Sequence, residues 1–130
     1  MKPDLIGAAA QARDKALAPY SGFKVGAALR MKDGAIYTGC NIENVSYGLS
    51  ICAERVALWK ALSEGALEFE EMAIVTDADV LTSPCGACRQ LLWEYCGDIP
   101  IHLHSLKGRD EEHRMADLFP HPFDVRSLRT

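Results

Sequence analysis

Apolar residues recur along the chain with two different periods, and the switches between them divide it into elements. Leu5, Ala8, Ala9, Ala12 and Ala16 share one face at helical spacing, which predicts a helix from a cap at Asp4 to about Ala18, ended by Pro19. FKVGAALRM (23–31) alternates instead, with Val25, Ala27, Leu29 and Met31 on one side of a strand. Asp33-Gly34 is a hairpin signal, and AIYTGC (35–40) returns as the second strand. NIENVSYGLSI (41–51) is polar and reads as a loop. CAERVALWKALSE (52–64) reads as a helix with Gly65 at its C-terminal cap. MAIVTD (72–77) is a short buried strand. Ser83-Pro84 marks a helix start, CGACRQLLWEYC (85–96) continues it, and Gly97 closes it. IPIHLHS (99–105) is another buried strand, followed by a charged turn, KGRDEE. MADLFPHPFDVRSLRT (115–130) reads as a short helical piece and an exposed tail. A hairpin followed by helix–strand–helix–strand implies a layered α/β domain with a mixed sheet.

Composition narrows the possibilities. The 130 residues suit one domain, 1–130, and 48% hydrophobic content is enough to build a core without staples. With 14 Lys+Arg against 18 Asp+Glu, the net charge of −4 disfavours a polynucleotide partner. No run approaches the ~18 apolar residues of a membrane span. The apolar stretch IGAAA runs into Arg13, Asp14 and Lys15, so the N-terminus is expected to belong to the mature fold. The 5 cysteines are an odd number, and with no signal peptide the expected compartment is the cytoplasm, where disulfides rarely persist.

Those cysteines carry the chemistry. Cys85-Gly86-Ala87-Cys88 after a strand and at a helix start fits a redox pair, half of a metal site, or two inert core residues. Cys52 also opens a helix that follows a loop. Two helix N-termini can converge in an α/β fold, and their dipoles favour thiolates. Three thiolates suit zinc, and three protein ligands with an open position is the catalytic arrangement. Cys96 lies ~16 Å along the helix from Cys85, too far to be a fourth ligand. Cys40 is expected to be a small core residue, and His102 and His104 ordinary residues on one strand face. Glu54, two positions past Cys52, is placed to handle protons beside the open position. Arg55 shares the helix face of Cys52 and is expected to offset thiolate charge.

Cys52-Ala53-Glu54 with Pro84-Cys85-Gly86-Ala87-Cys88 resembles the zinc-dependent cytidine deaminases, in the variant with three cysteines. PYSGFKVGAAL (19–29), GCNIENVSYGLSICAER (39–55) and SPCGACRQLL (83–92) resemble that family's blocks in the same order. The resemblance implies a three-layer α/β/α sandwich with a mixed five-stranded sheet, and a small homotetramer. It implies zinc on Cys52, Cys85 and Cys88, one ion per chain, and proton transfer by Glu54. It also implies a ribose 3′-hydroxyl on Asn41 and Glu43, the pyrimidine ring against Phe23, and the base carbonyl at the Ala53 N–H. Tyr47 and Phe123 would contribute across subunit boundaries, Phe123 by closing a neighbour's pocket. The implied reaction is hydrolytic deamination of cytidine or deoxycytidine in pyrimidine salvage. A deaminase of another amino-heterocycle, such as blasticidin S, and a structural zinc module without catalysis are the rival readings.

Overall fold

The computed structural model describes residues 4–128. The first three residues of the N-terminal stretch and the last two of the tail lie outside the described residues. The elements run α1 (Leu5–Arg13), β1 (Gly26–Met31), β2 (Ile36–Cys40), α2 (Ala53–Ser63), β3 (Phe69–Thr76), α3 (Gly86–Cys96), β4 (Pro100–Ser105), β5 (Arg109–Arg114) and α4 (Met115–Leu118). The strands form one sheet in the order β2-β1-β3-β4-β5. Only β3 and β4 pair in parallel, joined through α3, and the other neighbours are antiparallel. This is the expected mixed five-stranded sheet.

Strand alternation sorts the residues into two layers of core. Ala27, Leu29 and Met31 face one way with Met72, Ile74, Ile101 and Leu103, and pack against Ala53, Ala57, Leu58 and Ala61 of α2 and Leu92 of α3. Ala28, Ala73 and Val75 face the other way, against Leu5 and Ala9 of α1. Two glycines set the helix–sheet distance. A Cβ on Gly39 would lie 2.4 Å from the Ala53 carbonyl oxygen and 2.6 Å from the Ala57 nitrogen. On Gly26 it would lie 2.0 Å from the Ala9 oxygen. Only glycine lets α2 and α1 lie this close to the sheet.

Four expectations need correction. Helix α1 ends at Arg13, not near Ala18. Beyond it Leu17 leaves the helical path to pair with the loop after β2, donating to the Asn41 carbonyl (3.0 Å) and accepting from the Glu43 N–H (2.8 Å). Helix α3 begins at Gly86 with Cys85 as its cap residue, two positions later than Ser83-Pro84 suggests. The Ser83 hydroxyl accepts from Arg89 Nη2 (2.7 Å) instead of capping the helix. Strand β3 starts earlier, at Phe69. Finally, most of the charged turn is strand β5. Its carboxylates stand opposite the histidines of β4, Glu112 across from His102 and Asp110 across from His104. A charged edge strand has no apolar alternation to reveal it, and its charge also blunts edge-to-edge pairing.

Candidate active site

Two helix starts converge beside the sheet. Cys52 and Cys85 are the cap residues of α2 and α3, both with extended backbone and neither making a side-chain capping bond. Their thiols instead turn toward each other, 3.8 Å apart. Cys88, one turn into α3, is fully buried beside them, and the three sulfurs all lie within 4.8 Å of one another. Cys40 and Cys96 lie outside this cluster, and burial pushes the Cys96 thiol up to about 12, as suits an inert core thiol. His102 and His104 belong to the opposite face of the sheet, where His102 Nε2 meets Glu71 Oε1 (2.7 Å) and His104 pairs with Asp110.

The electrostatics of the trio fit a dication. The Cys52 thiol is pulled down to about 5, first by a hydrogen bond from Cys88, with Arg55 and Cys85 as further donors. Cys88 is pushed the other way, because it donates to the Cys52 thiolate and is buried. Negative charge on Cys52 therefore opposes a second negative charge on Cys88. A divalent soft cation at the centre removes that repulsion, which matches zinc on a sulfur-rich set of three. Arg55 Nη2 donates to the Cys52 sulfur at 3.7 Å, as its place one turn along the helix suggests.

Glu54 sits in the first turn of α2 with 6% of its surface exposed. Burial pushes its carboxyl up to about 7, and the Cys52 thiolate acts in the same direction. A carboxyl so placed can take and return a proton near neutral pH. It opens onto a cavity of about 420 Å³, lined also by Phe23, Asn41, Glu43, Tyr47, Ala53 and Cys85. Ala53 is the first residue of α2, where backbone N–H groups have no partner within the helix.

Asn41 and Glu43 follow β2 and brace the segment that carries Phe23. Asn41 Oδ1 accepts from the Val25 N–H and its Nδ2 donates to the Phe23 carbonyl, both at 2.8 Å. Glu43 Oε1 accepts from the N–H groups of Tyr20 and Ser21, each at 3.0 Å, and Oε2 accepts from the Ser21 hydroxyl. Phe123 does not line this cavity. It is 60% exposed, and its carbonyl accepts from Gln90 Nε2 (2.7 Å).

Some wall residues escaped the sequence reading. Val25, Ser50, Ile51, Ile74, Thr82 and Ser83 also line the cavity. Arg89 ties the loop before Cys85 to the end of α4, donating to the carbonyls of Pro84 (2.7 Å) and Leu118 (2.8 Å) as well as to Ser83. Its position directly after Cys88 was the available signal.

An α/β/α sandwich that brings two helix N-termini, a three-thiol cluster and a buried carboxylate together beside one cavity defines a metal-dependent hydrolytic site. The family described as the cytidine and deoxycytidylate deaminase zinc-binding region matches residues 2–101. A cytidine deaminase of Sporosarcina psychrophila is 49% identical over 95% of this chain and 92% of its own. The crystal structure of cytidine deaminase from Burkholderia pseudomallei superposes with a TM-score of 0.89 at 47% identity, covering 92% of this chain and 96% of that one. A blasticidin-S deaminase of Bacillus cereus is similar at 32% identity over 74% of each chain. The chain belongs to the cytidine deaminase family.

Proposed function

We propose that this chain is one catalytic domain that hydrolyses cytidine and 2′-deoxycytidine to uridine and 2′-deoxyuridine, releasing ammonia. The observation that carries the reading is the buried Glu54 carboxyl beside the Cys52–Cys85–Cys88 cluster, at the end of a nucleoside-sized cavity. Zinc held by the three cysteines supplies Lewis-acid activation of water. Glu54 takes the proton of the attacking water and delivers it to ring N3. Carbon C4 thereby becomes electrophilic and gains the oxygen. Glu54 then takes the proton of the hydroxyl added at C4 and gives it to the amino group, the C4–N bond breaks as the C4 carbonyl forms, and ammonia leaves. One carboxylate serves both transfers, which its exclusion from solvent and its pKa near neutrality support.

The remaining residues bind. Phe23 offers a flat face to the pyrimidine, and the Ala53 N–H meets the base carbonyl. Leftover hydrogen-bonding capacity supports the sugar assignment. Glu43 Oε2 accepts one internal bond and has a lone pair in reserve, and Asn41 retains one N–H and one lone pair. A 3′-hydroxyl can donate to the first and accept from the second.

Exposed apolar residues on the 41–51 loop support self-association as a homotetramer: Val45 is 75%, Tyr47 77% and Leu49 72% exposed. Tyr47 and Phe123 would then act at subunit boundaries. The five free thiols agree with the cytoplasm, and the reaction with pyrimidine salvage. Among the described residues no helix is long and apolar enough to cross a membrane.

The test is Glu54→Gln, assayed for ammonia release from cytidine, deoxycytidine and blasticidin S, with zinc content and ligand binding measured alongside. The expected result is a loss of at least ~10⁴ in kcat, or ~5 kcal/mol of barrier, with zinc retained. Activity within tenfold of the parent would remove Glu54 as the proton carrier. A parent that deaminates only blasticidin S, or nothing, would favour the corresponding rival reading.

A further inference from the structure

Residues 20–25 belong to neither a helix nor a strand, yet they carry Phe23, which is 41% exposed and so is not enclosed by packing on every side. The segment turns at Gly22, in the left-handed region with φ +69°. It is held by the side chains of Asn41 and Glu43, which reach across from the loop after β2. Ser21 is the meeting point of these bonds. Its hydroxyl donates to Glu43 Oε2 and accepts from the Phe23 N–H at 3.0 Å. One hydroxyl thus connects the carboxylate at the sugar end of the cavity to the backbone of the aromatic at the base end.

We propose that Ser21 is a positioning residue for nucleoside binding, acting through Glu43 and Phe23 without touching the reacting atoms. Glu43 Oε1 already accepts two backbone N–H bonds, so its capacity for another donor is spent. Oε2 is the oxygen with a free lone pair, and the Ser21 hydroxyl selects the direction in which that lone pair points. Without the hydroxyl, Oε2 turns toward water, and the Phe23 N–H loses its acceptor. The backbone bonds to Oε1 remain, so the loop keeps its course. The loss therefore falls on preorganisation of the bound nucleoside. The Ser21 hydroxyl is also the first cause of the lowered Glu43 pKa, as expected of a donor that favours the ionised carboxylate. The inference rests on the reading that Glu43 receives the sugar hydroxyl.

The experiment is a double-mutant cycle on the zinc-loaded protein with Ser21→Ala, Glu43→Gln and the pair, measuring KM and kcat for cytidine. Ser21→Ala is expected to raise KM roughly tenfold, the scale of one charge-assisted hydrogen bond, with kcat within about threefold. Ser21→Thr, which restores the hydroxyl, is expected to bring KM back to within about threefold of the parent. The double variant is expected to be little worse than Glu43→Gln, because Ser21 acts largely through that carboxylate. Additive effects, an unchanged KM in Ser21→Ala, or a Thr variant as poor as Ala would each overturn the proposal while leaving the sugar assignment intact. A parental KM in Glu43→Gln would instead remove the sugar assignment, and the role of Ser21 with it.

Discussion

Arg55 Nη2 lies 3.7 Å from the Cys52 sulfur and donates to it, while Arg55 Nε is buried with no acceptor among the described residues. The guanidinium is thus fixed against the thiolate cluster and offsets part of its charge. Three thiolates on a dication leave one surplus negative charge, which opposes further build-up of negative charge on the attacking oxygen. Arg55→Gln keeps a donor but removes the positive charge. Its kcat for cytidine should fall roughly ten- to hundredfold, the ~1.5–3 kcal/mol of a charge-assisted bond, with substrate affinity changed much less. Steady-state kinetics across pH check this, and a parental kcat throughout would reduce Arg55 to a packing residue.

The sulfur cluster separates ligands from bystanders. Cys85→Ala and Cys88→Ala should each lose bound zinc and activity, whereas Cys96→Ala should keep one zinc per chain. Metal analysis of the purified variants decides the point. Cys96 lies in a partly buried position at the far end of α3, so its replacement acts only through packing.

Gly39 sets the distance between β2 and the first turn of α2, and with it the placement of Cys52 and Glu54. A Cβ there meets backbone at 2.4 and 2.6 Å, so the helix itself has to move. Gly39→Ala should destabilise the fold by ~1–3 kcal/mol and lower kcat in the zinc-loaded protein. Gly48→Ala is the control, because nothing lies within 4 Å of a Cβ there. Thermal melts of the two variants should differ clearly, with Gly48→Ala close to the parent.

Glu71 links stability to pH on the face of the sheet away from the site. Burial alone would raise its pKa, but hydrogen bonds from His102 and Arg30 outweigh it and hold the carboxyl below its usual value. A depressed folded-state pKa stabilises above the unfolded value, ~4.3 for glutamate, and that contribution disappears as pH falls through the folded value. Glu71→Gln should therefore be less stable than the parent at neutral pH, with the gap closing below about pH 4. Denaturant melts at several pH values measure it; a gap that stayed constant into acid would show that the charge of Glu71 is not what stabilises.

Assembly is testable through Phe123, whose ring is exposed and lies outside its own chain's cavity. Sedimentation of active protein should give ~57 kDa, four times the 14.3 kDa chain. Phe123→Ala should raise KM without altering zinc content. Fully active monomer would contradict a pocket shared between subunits.

The chemistry of this protein was legible in the linear chain because its reactive groups sit at short spacings on helix starts. Cys52 with Glu54, and Cys85 with Cys88, are local patterns whose meaning depends on helical geometry over one turn. The alternation of Val25, Ala27, Leu29 and Met31 likewise marked the face of β1 that packs on α2, since successive strand side chains point to opposite faces, although the other face is buried too, with Ala28 against α1. Other features were settled only by contacts between distant segments. Helix α1 stops at Arg13, and four residues on Leu17 finds Asn41 and Glu43 as backbone partners. Strand β5 exists because β4 offers it a ladder and its carboxylates face histidines, neither of which its own composition reveals. The role of Ser21 depends on Glu43, 22 positions away, arriving on the adjacent strand extension. Helical and strand periods are properties of neighbouring residues. The directions of hydrogen bonds between remote segments are not, and the tertiary structure alone decides them.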